Sequence, residues 1–232
     1  MARRVAFLQH SPSDVPGLLG LRAGTLGFAT AAYRADRGPH ALPRAGSFDM
    51  LVVMGSASST TDETSGWIRE ERRLVAAAVD DGVPVLGVCF GGQLLAQVLG
   101  AEVRRLPAPE VGWFPVETDD PDRVPPGPWL LWHEDEFTAP PGAEVVARTE
   151  VSLQAFVHGR HTGIQFHPEV TRDVVGRWVL EARDEGSIDP VRAARVMDGF
   201  GPRDQGRRHE ADRLFDRFAE QAGTAPEKGP GP

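Results

Sequence analysis

Residues 83–93 read VPVLGVCFGGQ, in which an apolar strand pattern over residues 83–88 breaks directly into a helical pattern. Cys89, the only cysteine in the chain, lies at this break. A strand-to-helix turn flanked by glycines exposes the residue at its apex and directs the positive end of the following helix at it, which favours a reactive thiolate. The pattern therefore favours a cysteine nucleophile over the alternative, a small buried hydrophobic side chain.

A second segment supplies the groups that a cysteine nucleophile needs. Residues 163–170 read GIQFHPEV and place His167 and Glu169 two positions apart, just after another apolar strand. An imidazole accepts the thiol proton and later protonates the leaving amine, while a carboxylate orients and stabilises it. Pro168 disfavours a helix at His167 and fixes the local chain direction. Alone, this segment is compatible with an ordinary turn; together with Cys89 it indicates a catalytic triad.

An alternation of apolar strands and amphipathic helices surrounds these segments. Strands are predicted at residues 5–8, 29–33, 48–54 and 83–88, with helices over residues 15–26 and 67–81. The run at 48–54 is apolar at nearly every position, which is typical of a parallel sheet covered on both faces. We therefore expect an α/β fold built on a doubly wound, mostly parallel sheet with flanking helices. Active sites of such sheets lie beyond the strand C-termini, where Gly55 and Cys89 fall.

The second half of the chain differs in composition, with many prolines and short apolar runs. Strands at residues 113–116, 129–132 and 145–147 are expected to form a small antiparallel lobe. Residues 153–158 and 162–166 are expected to form a hairpin that delivers His167 at a strand end. Helices are predicted past residue 170 to residue 185, over 191–197 and over 209–222, and residues 223–232 are expected to be disordered.

The motifs together resemble a class I glutamine amidotransferase domain, the triad type with Cys, His and Glu. The resemblance rests on GVCFGGQ and GIQFHPEV, and it covers roughly residues 3–182. Supporting segments are MLVVMGS at 50–56, VGW at 111–113, WHED at 132–135 and SLQAF at 152–156. The chain is similar in particular to the amidotransferase domain of GMP synthases. The resemblance implies a flavodoxin-like sheet with a small antiparallel lobe.

The resemblance also implies a role for individual residues. The catalytic residues would be Cys89, His167 and Glu169. The backbone N–H groups of the oxyanion hole would belong to Ser56 and Phe90, and the substrate contacts would come from Gly55, Gln93, Glu134 and Asp135. The family usually has two glycines where this chain has Gly55 and Ser56. Serine keeps its N–H, but a positive φ is energetically unfavourable for a non-glycine residue at this position.

The implied substrate is L-glutamine, converted to glutamate and ammonia through a γ-glutamyl thioester. Three hypotheses follow for the use of that chemistry. The chain is a glutaminase working with a separate synthase or acceptor-binding subunit, a self-sufficient hydrolase or transferase acting on another γ-glutamyl amide, or a non-catalytic regulatory or binding module. The intact triad argues against the third hypothesis.

Length and charge bound the class of protein. With 232 residues, we expect one amidotransferase domain over residues 1–186, a helical extension packed on it over 187–222 and a tail over 223–232. The formal net charge of −8 argues against nucleic acid as the main partner. A single cysteine excludes an intramolecular disulfide. The sequence also shows neither a signal peptide pattern nor a long apolar span. A cytoplasmic enzyme without a membrane partner is therefore expected.

Neither a metal ion nor a cofactor is expected. The acidic cluster at residues 119–122 lies among prolines and lacks the ligand spacing of a cation-binding loop. The chain also lacks a phosphate-binding GxxxxGK loop, so no nucleotide-activating domain is predicted.

Overall fold

The chain alternates strands and helices along its first hundred residues, and a computed structural model describes residues 2–201 and 204–223. The strands are β1 (Arg4–Gln9), β2 (Ala29–Arg34), β3 (Met50–Val53), β4 (Val85–Val88), β5 (Val103–Phe114), β6 (Glu117–Thr118), β7 (Trp129–Phe137), β8 (Glu144–Arg148), β9 (Leu153–His158) and β10 (His161–Ile164). The helices are α1 (Gly17–Thr25), α2 (Gly66–Asp80), α3 (Phe90–Val98), α4 (Arg172–Asp184), α5 (Pro190–Asp198) and α6 (Asp204–Gly223), and short 3-10 turns lie at Ala35–Arg37 and Pro39–Ala41.

The main sheet has the strand order β2-β1-β3-β4-β10-β9-β8-β6. The strands from β2 to β10 pair in parallel, and those from β10 to β6 pair antiparallel. Every residue of β3 and β4 is buried, as expected for strands covered on both faces. The predicted doubly wound, mostly parallel α/β fold is confirmed, and so is the hairpin that leads towards His167.

A second, two-stranded antiparallel sheet consists of β5 and β7. The prediction that residues 145–147 belong to this lobe is wrong: they lie in β8, which pairs with β9 in the main sheet. The physical reason is burial, because Val146 and Ala147 are fully buried in the core of that sheet. Strand β5 also begins ten residues before the predicted start. Its prolines lie where the register shifts between Arg105 and Glu110, so they interrupt the pairing without ending the strand.

The strand-to-helix turn at Cys89 is tightly packed. Cys89 caps α3 with φ 50°, and among the described residues it is the only non-glycine residue with a positive φ. A Cβ atom on Gly91 would collide with the carbonyl oxygen of Val53, and one on Gly92 with that of Ile164. The two glycines therefore let the first turn of α3 approach the ends of β3 and β10.

Helices cover both faces of the main sheet. One face packs against α1 and α6, and Leu214, Phe215 and Phe218 of α6 lie in the same apolar cluster as Val5 and Phe7 of β1. The other face packs against α2 and α3. Helix α6 begins five residues before the predicted start, and the division of the chain after residue 186 stays a prediction.

Disorder was predicted for residues 223–232. That prediction is wrong for Gly223, which is the last residue of α6, and residues 224–232 lie outside the described residues. None of the described helices is both long enough and apolar enough to cross a membrane.

Candidate active site

The candidate site lies at the C-terminal edge of three adjacent parallel strands. Gly55 follows the end of β3, Cys89 follows β4, and His167 comes three residues after the end of β10. Because parallel strands end at a common edge, the topology brings these three residues together. They line one pocket of about 570 Å³.

His167 pairs with Glu169 beside Cys89. His167 Nδ1 lies 2.8 Å from Glu169 Oε1, and the two side chains are only 4% and 2% exposed. Burial opposes a charge on the imidazole, but the electrostatic effect of Glu169, and after it that of Cys89, outweighs burial and holds the pKa of His167 well above its ordinary value of 6.5. The raised pKa favours a protonated imidazole at His167.

Two further groups contact the sulfur of Cys89. The Nε2 atom of Gln165 donates to Sγ at 3.5 Å, and the carbonyl oxygen of Trp132 lies 3.8 Å away as an acceptor. The sequence motifs did not single out Gln165. Its position is explained by the strand end, because it directly follows β10 and is fully buried.

The structure restricts Gly55 through the space available for a side chain, whereas for Ser56 the relevant property is the backbone conformation. A Cβ atom on Gly55 would lie 2.9 Å from His167 Cε1 and 3.8 Å from the Cβ of Cys89, so the space beside the triad requires glycine there. Ser56 does not have a positive φ, so its side chain causes no backbone strain in this conformation. Its Oγ accepts a hydrogen bond from the N–H of Ser58 at 3.1 Å.

The predicted substrate-contact residues line the same pocket. Gln93 is buried, and its Nε2 donates to the carbonyl oxygen of Asp135 at 2.9 Å and to Gln165 Oε1 at 3.2 Å. Its amide nitrogen therefore holds the chain at Asp135. The Asp135 carboxylate in turn accepts from Ser59 Oγ at 2.6 Å.

Arg105 brings a positive charge to this end of the pocket. It pairs with the half-exposed carboxylate of Glu134, and it lies 3.6 Å from Asp135 Oδ1. Arg105 was not predicted from the sequence, because it precedes the residues at which the lobe was expected to begin. In the structure it lies in β5 opposite Asp135 of β7.

His133 and Trp178 occupy more specific positions than the sequence indicated. His133, in the WHED segment, is buried, with Nε2 3.3 Å from Glu110 Oε2. Trp178 lies in α4. It lines the pocket, packs edge-on against the His167 ring with centroids 5.0 Å apart, and donates to the carbonyl oxygen of Ser13 at 3.3 Å.

His10 is the main site residue that sequence reasoning missed. It directly follows β1, and its ring nitrogens bond to the Gly55 carbonyl oxygen and to the carboxylate of Glu71. Its position directly after a parallel strand could have indicated it, because Gly55 and Cys89 were identified by the same criterion. Nearby, burial raises the pKa of the Asp14 carboxyl, which also lines the pocket.

Metal-ligand clusters are absent from the part of the chain that the structure describes: residues 2–201 and 204–223 contain no group of three or more His, Cys, Asp or Glu that could hold an ion. The arrangement at Cys89 provides a nucleophile, a base and a carboxylate, which together can perform acyl transfer.

Large parts of the chain are similar to known proteins. The family model "Glutamine amidotransferase class-I" matches residues 22–183. The chain is 40% identical over 149 residues to a GMP synthase (glutamine-hydrolyzing) from Aeropyrum pernix, in an alignment that covers 61% of this chain and 27% of that protein. It is 44% identical over 132 residues to a subunit of a GMP synthase (glutamine-hydrolyzing) from Sulfurisphaera tokodaii, covering 53% of this chain and 68% of that one.

A solved structure matches over nearly the whole length. The crystal structure of a glutamine amido transferase from Methylobacillus flagellatus has a TM-score of 0.86 and 26% identity, and the match covers 99% of both chains. In contrast, the matched region spans about a quarter of the Aeropyrum synthase.

Proposed function

This chain belongs to the class-I glutamine amidotransferase family, and we propose that it hydrolyses the side-chain amide of L-glutamine through a Cys89 γ-glutamyl thioester, giving glutamate and ammonia for an acceptor on a separate synthase. The observation that carries the proposal is the convergence of Cys89, His167 and Glu169. The close contact between His167 and Glu169 and the raised pKa of His167 are what a thiolate nucleophile requires.

In the first half of the reaction, the Cys89 thiolate attacks the carboxamide carbon and a tetrahedral oxyanion forms. The backbone N–H groups of Ser56 and Phe90 are proposed to stabilise it, at about 3 kcal/mol for each donor. The imidazolium of His167 gives its proton to the departing nitrogen, the carbon–nitrogen bond breaks, and ammonia leaves the thioester behind.

In the second half, His167 takes a proton from a water molecule, and the resulting hydroxide attacks the thioester carbonyl. The carbon–sulfur bond breaks, which releases glutamate and restores the pair of Cys89 and His167. Glu169 keeps the imidazole oriented and stabilises its positive charge in both halves.

The polar end of the pocket fits the α-amino acid part of glutamine. A free amino acid carries one ammonium and one carboxylate group, so its site needs an anion and a cation. Glu134 and Asp135 supply carboxylates, and Arg105 supplies the guanidinium. Gln93 is proposed to support this end by holding the Asp135 backbone, and Gly55 leaves the space beside the triad open.

A separate synthase is proposed because the Sulfurisphaera relative is named as a subunit of a GMP synthase. Membership of this family makes the chain an amidotransferase enzyme rather than a non-catalytic module.

The test is release of glutamate and ammonia from L-glutamine by the purified chain, with Cys89→Ala as the matched control. We expect release that depends on Cys89, and an intact-mass adduct of a γ-glutamyl group on Cys89 when hydrolysis is slowed. Equal release by the Cys89→Ala variant would rule out the thioester. If the chain releases neither product, alone or with a candidate synthase, glutamine is not its substrate.

A second candidate is favoured by the size of the pocket. Beyond His167 and Trp178 it extends to Ile188 and Arg192, and its volume of about 570 Å³ is in the range that holds ligands larger than an amino acid, about 300–1,000 Å³. The chain is then a self-sufficient hydrolase or transferase for a larger γ-glutamyl amide. A kcat/KM that rises from glutamine to γ-glutamyl amides of longer amines supports this candidate, and one that falls with amine length excludes it.

A further inference from the structure

His10 and Glu71 form a buried pair beside the strand end that carries Gly55. His10 Nδ1 lies 2.7 Å from the carbonyl oxygen of Gly55, and Nε2 lies 3.0 Å and 3.1 Å from the two carboxylate oxygens of Glu71. The two side chains are 1% and 0% exposed. Neither residue belongs to the triad, and a buried pair of ionisable groups beside a catalytic centre needs a reason, since burial of charge is costly.

The direction of the hydrogen bond to Gly55 is fixed by its partners. A carbonyl oxygen only accepts, so His10 Nδ1 must carry a proton. On the other side, either Nε2 is also protonated and faces a carboxylate, or Glu71 holds the proton and donates to Nε2. Nδ1 donates to Gly55 in both cases. Burial opposes the charged imidazole, but Glu71 outweighs it and raises the pKa of His10.

The Gly55 carbonyl belongs to the same peptide unit as the N–H of Ser56. The bond between these residues is trans, because the only cis peptide bond in residues 2–201 and 204–223 precedes Pro128. In a planar trans peptide the C=O and the N–H point in opposite directions. A donor that holds the carbonyl therefore sets the direction of the Ser56 N–H, and it also polarises the amide so that this N–H becomes a stronger donor.

The His10 ring is also held by aromatic contacts. Its centroid lies 5.2 Å from that of Trp67 and 4.8 Å from that of Phe90. Phe90 provides the other proposed oxyanion donor. His10 thus contacts the Gly55–Ser56 peptide through a hydrogen bond and the side chain of Phe90 through ring packing.

We propose that His10, oriented by Glu71, is a positioning residue that aligns the peptide between Gly55 and Ser56 for stabilisation of the oxyanion. This proposal rests on the proposed glutaminase function. It assigns a role in the reaction to a histidine that does not touch the substrate.

The experiment compares two substitutions, each of which places a side-chain amide near the position of one of the two ring nitrogens. His10→Asn places an amide N–H near the position of Nδ1 and keeps a donor for Gly55, whereas His10→Gln reaches towards Glu71 and loses the bond to Gly55. We expect His10→Asn to keep kcat within about threefold of the parent, and His10→Gln to lower kcat by roughly 10–100-fold, less than the loss of an entire oxyanion donor. KM should change by less than about twofold, because the bond acts in the transition state.

Alkylation of Cys89 provides a readout that a purely structural role would not separate. Iodoacetamide loses iodide from a saturated carbon, so its reaction forms no oxyanion, yet it depends on the thiolate and on His167. The alkylation rate should therefore be unchanged in His10→Gln while hydrolysis falls. His161→Asn, at another buried histidine away from the site, is the matched control and should leave both rates unchanged.

The possible outcomes separate the two proposals. If His10→Asn and His10→Gln lose kcat equally, or if alkylation slows in parallel with hydrolysis, His10 acts only through packing and its positioning role is wrong. If His10→Gln does not fold, Glu71→Leu replaces it, and a kcat equal to that of the parent overturns the inference. Absence of Cys89-dependent turnover in the parent chain would instead overturn the proposed function, and this inference with it.

Discussion

Replacing Gly55 with alanine should slow catalysis strongly while leaving the fold intact. The new Cβ would lie 2.9 Å from Cε1 of His167. Carbon atoms in contact lie about 3.5–4.0 Å apart, so the imidazole must retreat by roughly 0.6 Å or more. A misplacement of about 1 Å in a catalytic group costs about 10²-fold in rate, and we expect kcat for glutamine to fall by about that factor.

Folding should be much less affected, because Gly55 does not have a positive φ and alanine can adopt its backbone conformation. The matched control is Gly24→Ala in α1, where a Cβ would have no atom within 4 Å. That substitution should stabilise the helix by up to about 1 kcal/mol and leave kcat unchanged.

The assay combines steady-state release of glutamate with urea unfolding of the parent and of both variants. A Gly55→Ala protein with normal unfolding and kcat within about threefold of the parent would show that the space beside His167 is not needed, and the reasoning would be refuted. A loss of unfolding free energy that accounts for the loss of activity would refute it equally.

Three further substitutions probe charge, pH and packing. Glu169→Gln keeps an acceptor for His167 but removes the charge, so kcat should fall by about 10³–10⁴-fold, and NMR should show a lower pKa for His167. Burial, with help from His158 and Arg160, lowers the pKa of His161 to about 4. The folded chain then binds fewer protons than the unfolded chain below pH 6.5, so the free energy of unfolding decreases as the pH falls towards 4. In urea titrations at pH 5, His161→Gln should therefore recover about 2 kcal/mol of unfolding free energy. Phe215→Ala should cost about 3–5 kcal/mol in the same assay if α6 belongs to the core, whereas a cost below about 1 kcal/mol would mean that the helix is an appendage.

The fold could be predicted because its central strands are buried on both faces. Burial on both sides leaves unbroken apolar runs, and β3 and β4 are such runs. The two motifs that contain Cys89 and His167 then indicated the edge of the sheet at which the site side chains come together. Local sequence carries both signals, because strand burial and the strand-to-helix turn are properties of short segments.

Other features depend on contacts that no short segment encodes. Whether residues 145–147 join the lobe or the main sheet is decided by pairing with β9, and either sheet accepts the same apolar pattern. His10 is separated from Glu71 by 61 positions, and Trp178 reaches the His167 ring from α4. A lone histidine or tryptophan in sequence does not reveal a partner that only tertiary packing provides.

The replacement of the second glycine by serine is understandable from the same geometry. The space beside His167 restricts residue 55. A positive φ at residue 56 would cost a non-glycine residue on the order of 1–2 kcal/mol. In its present conformation Ser56 avoids that cost, and its hydroxyl oxygen accepts from the N–H of Ser58. A chain with serine at this position is therefore biased towards one orientation of the peptide, the orientation in which His10 holds the Gly55 carbonyl.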